Sequence, residues 1–318
     1  MSTNLAANWS ENADEFTIIS EGGEETGTHA HASETNSNSS TKAEEKAQGI
    51  LESALLTTAQ LMALNVPPRA SLAGDWFQAD DYGIICGRRG IGKSWLAMEL
   101  AIAMVEGRDF GPWKCPKPIR GLYVDGEMAL DHSRDRVRAL SANTAGGGAL
   151  FVLSHQQVFN TTQKALCLSD PAQQNELIDI CEREKIDVVF LDNGACLFRG
   201  VDENSADDFR DKIEGWLLAF RRRGIAVVLV LHEGRNGAIR GTSKREDATF
   251  WILRVAETGS NEHTPGARFI SCFTKNRNAQ QDPPFRWNGT SNRMATKRSL
   301  PIKKPIQWRF SGNGLRTG

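Results

Sequence analysis

Apolar and polar positions change their period several times along the 318-residue chain, and each change marks an element. Residues 1–44 are Ser, Thr, Asn, Glu and Gly with few large apolar side chains. That is too little burial to offset the entropy of ordering a backbone, so an acidic, polar, disordered extension is expected. Over 45–66, Ile50, Leu51, Leu55, Leu56, Leu61 and Leu64 recur at threes and fours, which predicts a helical lead-in that Pro67 and Pro68 end. Such a helix can pack on its own domain or on a neighbouring subunit.

The next stretch alternates between two patterns. Residues 82–86 read as a short apolar strand, and 95–104 as an apolar helix after a glycine-rich loop. A Gly/Pro-punctuated connection over 107–118 leads to an apolar strand at 121–127 that ends in acids. A basic helix over 130–142, a strand at 150–153 and a helix over 171–185 follow. Residues 186–192 are a run of apolar β-formers of the kind found in strands buried on both faces. An amphipathic helix over 206–223 places Phe209, Ile213, Trp216, Leu217 and Phe220 on one side and stops at Gly224. Residues 225–231 form another apolar strand, ending at His232. Alternating strands and helices predict an α/β domain, a mainly parallel sheet flanked by helices. Past 249 the helical signal fades, and 251–255, 268–273, 285–287 and 307–310 read as short strands added antiparallel to one sheet edge. The main domain is expected over 67–290, with a basic segment at 291–318.

Composition narrows the setting. No apolar run approaches the roughly 20 residues of a membrane span, and the amino terminus lacks the basic-then-apolar order of a signal peptide, so a cytoplasmic protein without membrane contact is expected. Cys86, Cys115, Cys167, Cys181, Cys196 and Cys272 include no C-x-x-C pair, which argues against a zinc site or a disulfide framework. The formal net charge of −1 hides an asymmetry. Residues 1–48 hold nine Asp/Glu against Lys42 and Lys46, whereas 275–318 hold ten Lys/Arg against Asp282 alone. The basic end suits a polyanion such as nucleic acid, or is a solvated tail.

The chemistry centres on Gly87, Arg88, Arg89, Gly90, Ile91, Gly92, Lys93 and Ser94, with Trp95 following. Strand, G-x-x-x-x-G-K-S and helix form a phosphate-binding loop, and these nine residues are the expected nucleotide contacts. The glycines let successive N–H groups ring a phosphate at a helix N-terminus, Lys93 reaches the β and γ phosphates, and Ser94 offers a hydroxyl to Mg²⁺. Glu127, Asp192 and His232 each follow an apolar strand, where ligands of an open parallel sheet collect. Asp192 fits the acid that positions Mg²⁺, against a turn-capping role. Glu127 fits the base that activates a water, with Asp125 as rival because alternation aims both the same way. His232 fits a γ-phosphate sensor. Arg240, Lys275 and Arg277 are the candidate cations for the developing charge, the last two sharing a strand face or forming an exposed strand end.

In this order, the phosphate loop, Tyr123-Val124-Asp125-Gly126-Glu127, Val188-Val189-Phe190-Leu191-Asp192, Leu231-His232 and Arg240-Gly241-Thr242-Ser243 resemble RecA-like ATPases, above all the plasmid RepA-type hexameric helicases and their AAA-labelled relatives. The resemblance covers about 68–290. It implies a RecA-like core, ATP hydrolysis with Mg²⁺, single-stranded DNA as partner, and a homo-oligomeric ring, a hexamer in those relatives, in which one subunit's arginine completes the next subunit's site. Lys275-Asn276-Arg277 resembles the K-x-R element of DnaB-type helicases. Where the RepA-type helicase has an arginine after R-G-S-S, this chain has Phe250 and Trp251, and its next arginine is Arg254. An ATP-dependent regulatory switch of the same class, or a small-molecule kinase, would share the phosphate loop.

Overall fold

The computed structural model describes residues 49–141, 149–202, 205–234, 239, 244–257, 268–278, 306–311 and 314–317. The extension 1–44, Arg240, the strand expected at 285–287 and much of 291–318 lie outside the described residues. One unit ends at Asn65 and a second begins at Val66.

In the first unit the lead-in is two short helices, α1 (Ile50–Ser53) and α2 (Thr58–Ala63), instead of one. The break has a local cause. Gln60 N–H donates to the Thr57 hydroxyl at 3.2 Å and Thr57 N–H donates to the Gln60 side chain at 2.8 Å, a reciprocal cap that starts a new helix. Ile50, Leu51, Leu55 and Met62 are exposed.

The second unit opens with β1 (Ser71–Ala73) and β2 (Phe77–Gln78), an antiparallel pair too short to show alternation in sequence. Then come β3 (Tyr82–Gly87), α3 (Lys93–Glu106), β4 (Arg120–Asp125), α4 (Leu130–Leu140), β5 (Ala149–Ser154), α5 (His155–Thr162), α6 (Pro171–Arg183), β6 (Val188–Asp192) and α7 (Gly194–Leu197). The amphipathic helix is α8 (Ala206–Phe209), a π-helical segment (Arg210–Glu214) and α9 (Gly215–Arg222). The buried Gln174 amide donates to Lys212 O within the π segment and to Leu168 O, both at 2.8 Å, tying this irregular helix to α6. After β7 (Ala226–His232) follow α10 (Lys244–Asp247), β8 (Trp251–Ala256), β9 (Arg268–Asn276), β10 (Ile306–Ser311) and β11 (Gly314–Thr317).

Nine strands form one sheet in the order β11-β10-β9-β8-β3-β7-β6-β4-β5. The six from β8 to β5 are parallel, and β9, β10 and β11 add on antiparallel. This is the RecA-like α/β architecture with antiparallel strands at the C-terminal end. One strand departs from expectation: β8 lies parallel to β3, next to the phosphate-loop strand, and is not an antiparallel addition. Its consecutive buried Trp251, Ile252 and Leu253 are the pattern of a strand covered on both faces. Closeness here is enforced at Gly83, where a Cβ would fall 2.1 Å from the Trp251 ring.

Apolar layers cover both sides of the sheet. On one side Leu96, Leu100 and Met104 of α3 pack with Tyr123, Phe190 and Val228. On the other, Leu177 and Ile178 of α6 and Trp216 and Phe220 of α9 pack on Ile84, Val189 and Leu229. With both faces closed, solvent and ligands reach the parallel strands only at their ends. No helix of the described residues is long and apolar enough to cross a membrane.

Candidate nucleotide site

The loop between β3 and α3 has the backbone its glycines predict. Gly90 (φ 75°) and Gly92 (φ 104°) are left-handed, and nothing lies within 4 Å of a Cβ built on Gly90, so conformation and not space selects glycine there. At Gly87 space decides, since a Cβ would come 2.5 Å from Val255 O on β8. Lys93 begins α3, is buried, and donates from Nζ to Arg88 O at 2.7 Å. Burial holds its ammonium pKa below the ordinary lysine value, while the charge of Asp192 pulls the other way. Arg88 and Arg89 are exposed, and Ile91 packs on the core.

Asp192 is the buried last residue of β6, and Asp125 and Val230 are its register partners on β4 and β7. Burial pushes its carboxyl above the ordinary range, although Tyr123 Oη donates to Oδ2 at 2.6 Å and the Ser94 hydroxyl also hydrogen-bonds to it. The next peptide bond, Asp192–Asn193, is cis. Asn193 Oδ1 accepts from Cys196 N–H at 3.1 Å to cap α7, and its Nδ2 donates to Glu127.

Asp125 and Glu127 diverge for a reason that strand alternation does not capture. β4 stops at Asp125, so the turn and not the pleat orients Glu127. Asp125 is buried in that turn: Oδ1 accepts from the N–H groups of Glu127 (3.0 Å) and Met128 (2.9 Å), and Oδ2 accepts from the Ser133 hydroxyl. Glu127 is exposed at the strand end with Asn193 as its side-chain partner.

His232 is the last residue of β7 and pairs in register with Gly87. The next residue ties three strands together. Glu233 N–H donates to Gly87 O at 3.1 Å, and its buried carboxylate pairs with Arg254 Nε on β8 at 2.7 Å. Arg254, the arginine that follows Phe250 and Trp251, is therefore held within its own sheet.

The structure thus brings the phosphate loop, His232, Asp192 and Glu127 to the adjacent ends of β3, β7, β6 and β4. Lys275 and Arg277 are elsewhere. Lys275 pairs with Ile252, which lies beside Ile84, and Arg277 N–H donates to Phe250 O at 2.8 Å, so both are at the opposite end of the sheet from their own phosphate loop. Lys275 Nζ donates to Glu246 O and to Asp247 O (3.2 Å), and Arg277 Nη2 to Asp247 O at 2.7 Å, securing the end of α10.

Three residues of the cluster were not singled out by sequence: Tyr123, Asn193 and Arg136. Tyr123 and Asn193 adjoin motif residues, and their partners depend on tertiary register. Arg136 sits in a helix that reads only as basic. Its guanidinium lies 4.7 Å over the Trp95 ring and its charge is felt at Asp192. Nη1 is buried and has no hydrogen-bond partner among the described residues. Trp95 is thereby engaged with Arg136.

A nucleotide and Mg²⁺ fit this donor set. Ser94 and Asp192 offer hard oxygen ligands, and no cluster of three His, Cys, Asp or Glu among the described residues competes for the ion. Lys93 rests on a backbone carbonyl that an anionic oxygen can replace, and the charge of Arg136 acts on Asp192 at the same strand ends.

Residues 47–238 match the AAA_25 family model, described as an AAA domain. The chain belongs to this AAA domain family. The match spans more than half of the chain and takes in the phosphate loop, Glu127, Asp192 and His232. As an AAA-domain protein with this sheet it is a RecA-like P-loop ATPase. Two solved structures similar to it are the flagellar accessory protein FlaH from Methanocaldococcus jannaschii (13% identity, 76% of this chain and 90% of that chain, TM-score 0.49) and the KaiC-like protein PH0186 from Pyrococcus horikoshii OT3 (10% identity, 79% and 99%, TM-score 0.48). No curated protein matches in sequence.

Proposed function

We propose that this AAA-domain ATPase is a motor that couples ATP hydrolysis to work on single-stranded DNA, as a ring-forming helicase of a plasmid, phage or other mobile element. The observation that carries the hydrolytic half is the division of labour between two acids. Asp125 is committed to its turn, whereas Glu127 stands at the strand end with Asn193 fixing its carboxylate next to Asp192. Glu127 takes the proton of a water aligned on the γ-phosphate, with Asn193 setting its orientation. Lys93 and the N–H groups of the loop hold the phosphates, and His232, in register with Gly87, reports on the terminal one. Ser94 and Asp192 would hold Mg²⁺, which when bound neutralises charge on the phosphate oxygens. Arg136, stacked on Trp95, supplies a fixed cation from the same subunit. Lys275 and Arg277, remote from their own phosphate loop, act in this reading on the site of a neighbouring subunit, and Arg240 is the third candidate for that role. The basic end of the chain and the pattern shared with RepA-type helicases support DNA as the partner.

Steady-state ATP hydrolysis with and without single-stranded DNA, in wild type and Glu127→Gln, tests the reading. The expected result is acceleration by DNA, abolished in the variant while nucleotide binding survives. Slow hydrolysis indifferent to DNA would identify a nucleotide-dependent switch instead.

A further inference from the structure

Tyr123 places a hydroxyl in a layer that is otherwise apolar. It is buried on the α3 side of the sheet with Leu96, Leu100 and Phe190, and its ring stacks on that of Phe190, with centroids 6.0 Å apart and planes at 16°. A phenylalanine would fill the same space, as Phe190 beside it does, with no polar atom to satisfy. A buried hydroxyl costs stability unless it is hydrogen-bonded. Packing therefore accounts for the ring and not for the oxygen.

Strand register supplies the oxygen's partner. Tyr123 of β4 is opposite Phe190 of β6, and Asp192 is two residues further along on the same face. Two residues advance a strand by about 6.6 Å, a gap that a phenol bridges. Tyr123 Oη lies 2.6 Å from Asp192 Oδ2 and 3.5 Å from Ser94 O. The single hydroxyl proton goes to the carboxylate, since the second distance is at the limit of a hydrogen bond.

Asp192 depends on that donor. It is buried, and the torsion that sets the plane of its carboxylate is of the broad sp³–sp² kind, which the backbone alone does not fix. Asp125, directly opposite on β4, accepts hydrogen bonds within its own turn and has none to give. The Ser94 hydroxyl also donates to Asp192, but its oxygen is itself an expected ligand of the ion. Tyr123 is the donor that the ion does not share, and the stacked ring holds it in place.

We infer that Tyr123 is a positioning residue of the metal site, its hydroxyl fixing the plane of the Asp192 carboxylate for a cation with strict octahedral demands. The inference rests on the reading that Ser94 and Asp192 hold Mg²⁺, and it adds to that site a residue that touches neither the ion nor the nucleotide.

The test compares the full chain as wild type, Tyr123→Phe, Asp192→Asn and the double variant in equilibrium binding of a fluorescent, slowly hydrolysed ATP analogue, with Mg²⁺ and with EDTA. The ratio of the two affinities is the metal's contribution, and no turnover enters it. Tyr123→Phe should lower that ratio about 10-fold, as loss of a ligand-orienting hydrogen bond does, with affinity in EDTA within about 2-fold of wild type. On the Asp192→Asn background the same change should move the ratio by less than about 2-fold, because the two residues act as one unit. A second readout needs no change at Tyr123. With [ζ-13C]tyrosine only Tyr82 and Tyr123 give signals, and Tyr82→Phe assigns them. The Tyr123 signal should shift when Mg²⁺ is added to the analogue-bound protein and should stay in place in Asp192→Asn. A ratio unchanged by Tyr123→Phe while Asp192→Asn lowers it would overturn the inference alone, as would a Tyr123 signal indifferent to Mg²⁺. A ratio unchanged by Asp192→Asn would overturn it together with the metal reading. Equal losses of affinity with Mg²⁺ and with EDTA in Tyr123→Phe, accompanied by a lower Tm, would reduce Tyr123 to packing and overturn it as well.

Discussion

At the N-terminal ends of β3 and β8, Asp81 is buried and takes Arg69 at 2.6 Å, Gln78 N–H at 2.9 Å and the Asn278 amide at 2.5 Å. Arg69 and Arg221 both lie over the Phe250 ring, at 4.8 and 4.7 Å. At the C-terminal ends of the same sheet, Lys93 is buried on a single carbonyl and Asp192 is driven toward its neutral form by burial. The Arg136 Nη1 there has no hydrogen-bond partner among the described residues. Both ends bury charge, and burial raises the carboxyl pKa of Asp81 as it does that of Asp192; the cations differ, since Arg69 pairs with the two carboxylates of Asp80 and Asp81 whereas Lys93 rests on one carbonyl. A buried carboxylate with three donors secures loops, and those donors offset part of its desolvation. A buried lysine on one carbonyl and an arginine with an unpartnered buried nitrogen, beside an acid whose burial favours its neutral form, carry a cost that a bound phosphate and metal would reduce. The difference separates groups that maintain the fold from groups held ready for a ligand.

Glu127→Gln gives the largest expected change. Turnover should fall by about 10²- to 10⁴-fold, the usual contribution of a positioned general base, while nucleotide affinity stays within a few-fold. Stopped-time phosphate release and equilibrium nucleotide binding measure the two quantities. Turnover close to wild type would move the base elsewhere, with Asp125 excluded by its turn.

The comparison is sharpest in a pair of substitutions with opposite consequences. Lys93→Ala should weaken nucleotide binding at least about 100-fold without lowering the stability of the nucleotide-free protein, because a poorly solvated ammonium is removed. Asp81→Ala should do the reverse, lowering stability by about 1–3 kcal/mol in a denaturant titration because the acceptor shared by Arg69, Gln78 N–H and the Asn278 amide is lost while Arg69 keeps only Asp80, with normal nucleotide affinity in the folded fraction. Equal stability losses at both ends would erase the distinction.

Asp192 supplies a pH test. Its folded pKa is raised above the ordinary 3.8, so in the window between 3.8 and that higher value the native state keeps a proton that the unfolded chain has released. Stability from this group is therefore greatest at the acid side and declines as pH rises through the window. Mg²⁺ binding needs the carboxylate and runs the other way. Mg²⁺-dependent nucleotide affinity should weaken as pH falls, starting above the usual aspartate range, and Asp192→Asn should flatten that limb in a titration of affinity against pH.

The smallest expected effect is at Lys275. Lys275→Met removes its hydrogen bonds to the end of α10 and should cost on the order of 1 kcal/mol. If it also serves a neighbouring subunit, turnover of the assembled protein should fall by more than stability explains, and mixing with Glu127→Gln subunits, which retain Lys275, should restore part of it.

Much of the site was legible because its residues adjoin strong local signals. The phosphate loop announces itself by spacing, and Asp192 and His232 end runs of apolar β-formers, so an open parallel sheet places them together. Alternation aims Asp125 and Glu127 the same way, so the choice of Glu127 rests on its place nearer the strand's end, whereas the structure separates the two by the turn that Asp125 closes. Arg136 was invisible because its position depends on packing against Trp95 across two helices, and helix α4 shows only charge. β8 illustrates a further limit: a run buried on both faces was present at 251–253, but the pairing partner of a strand is a long-range property.

The central claim, that the C-terminal ends of the strands are kept undercompensated for a nucleotide, is tested most directly by the shift in Tm on adding Mg²⁺ and a slowly hydrolysed ATP analogue to wild type and Lys93→Ala. At about 100 times Kd the ligand adds about 2.7 kcal/mol, so a wild-type rise of roughly 5–10 °C is expected for a unit of this size. Lys93→Ala should rise by no more than about 2 °C, from a starting Tm at least equal to that of the wild type. A variant that starts lower and is stabilised by the same amount would contradict the account.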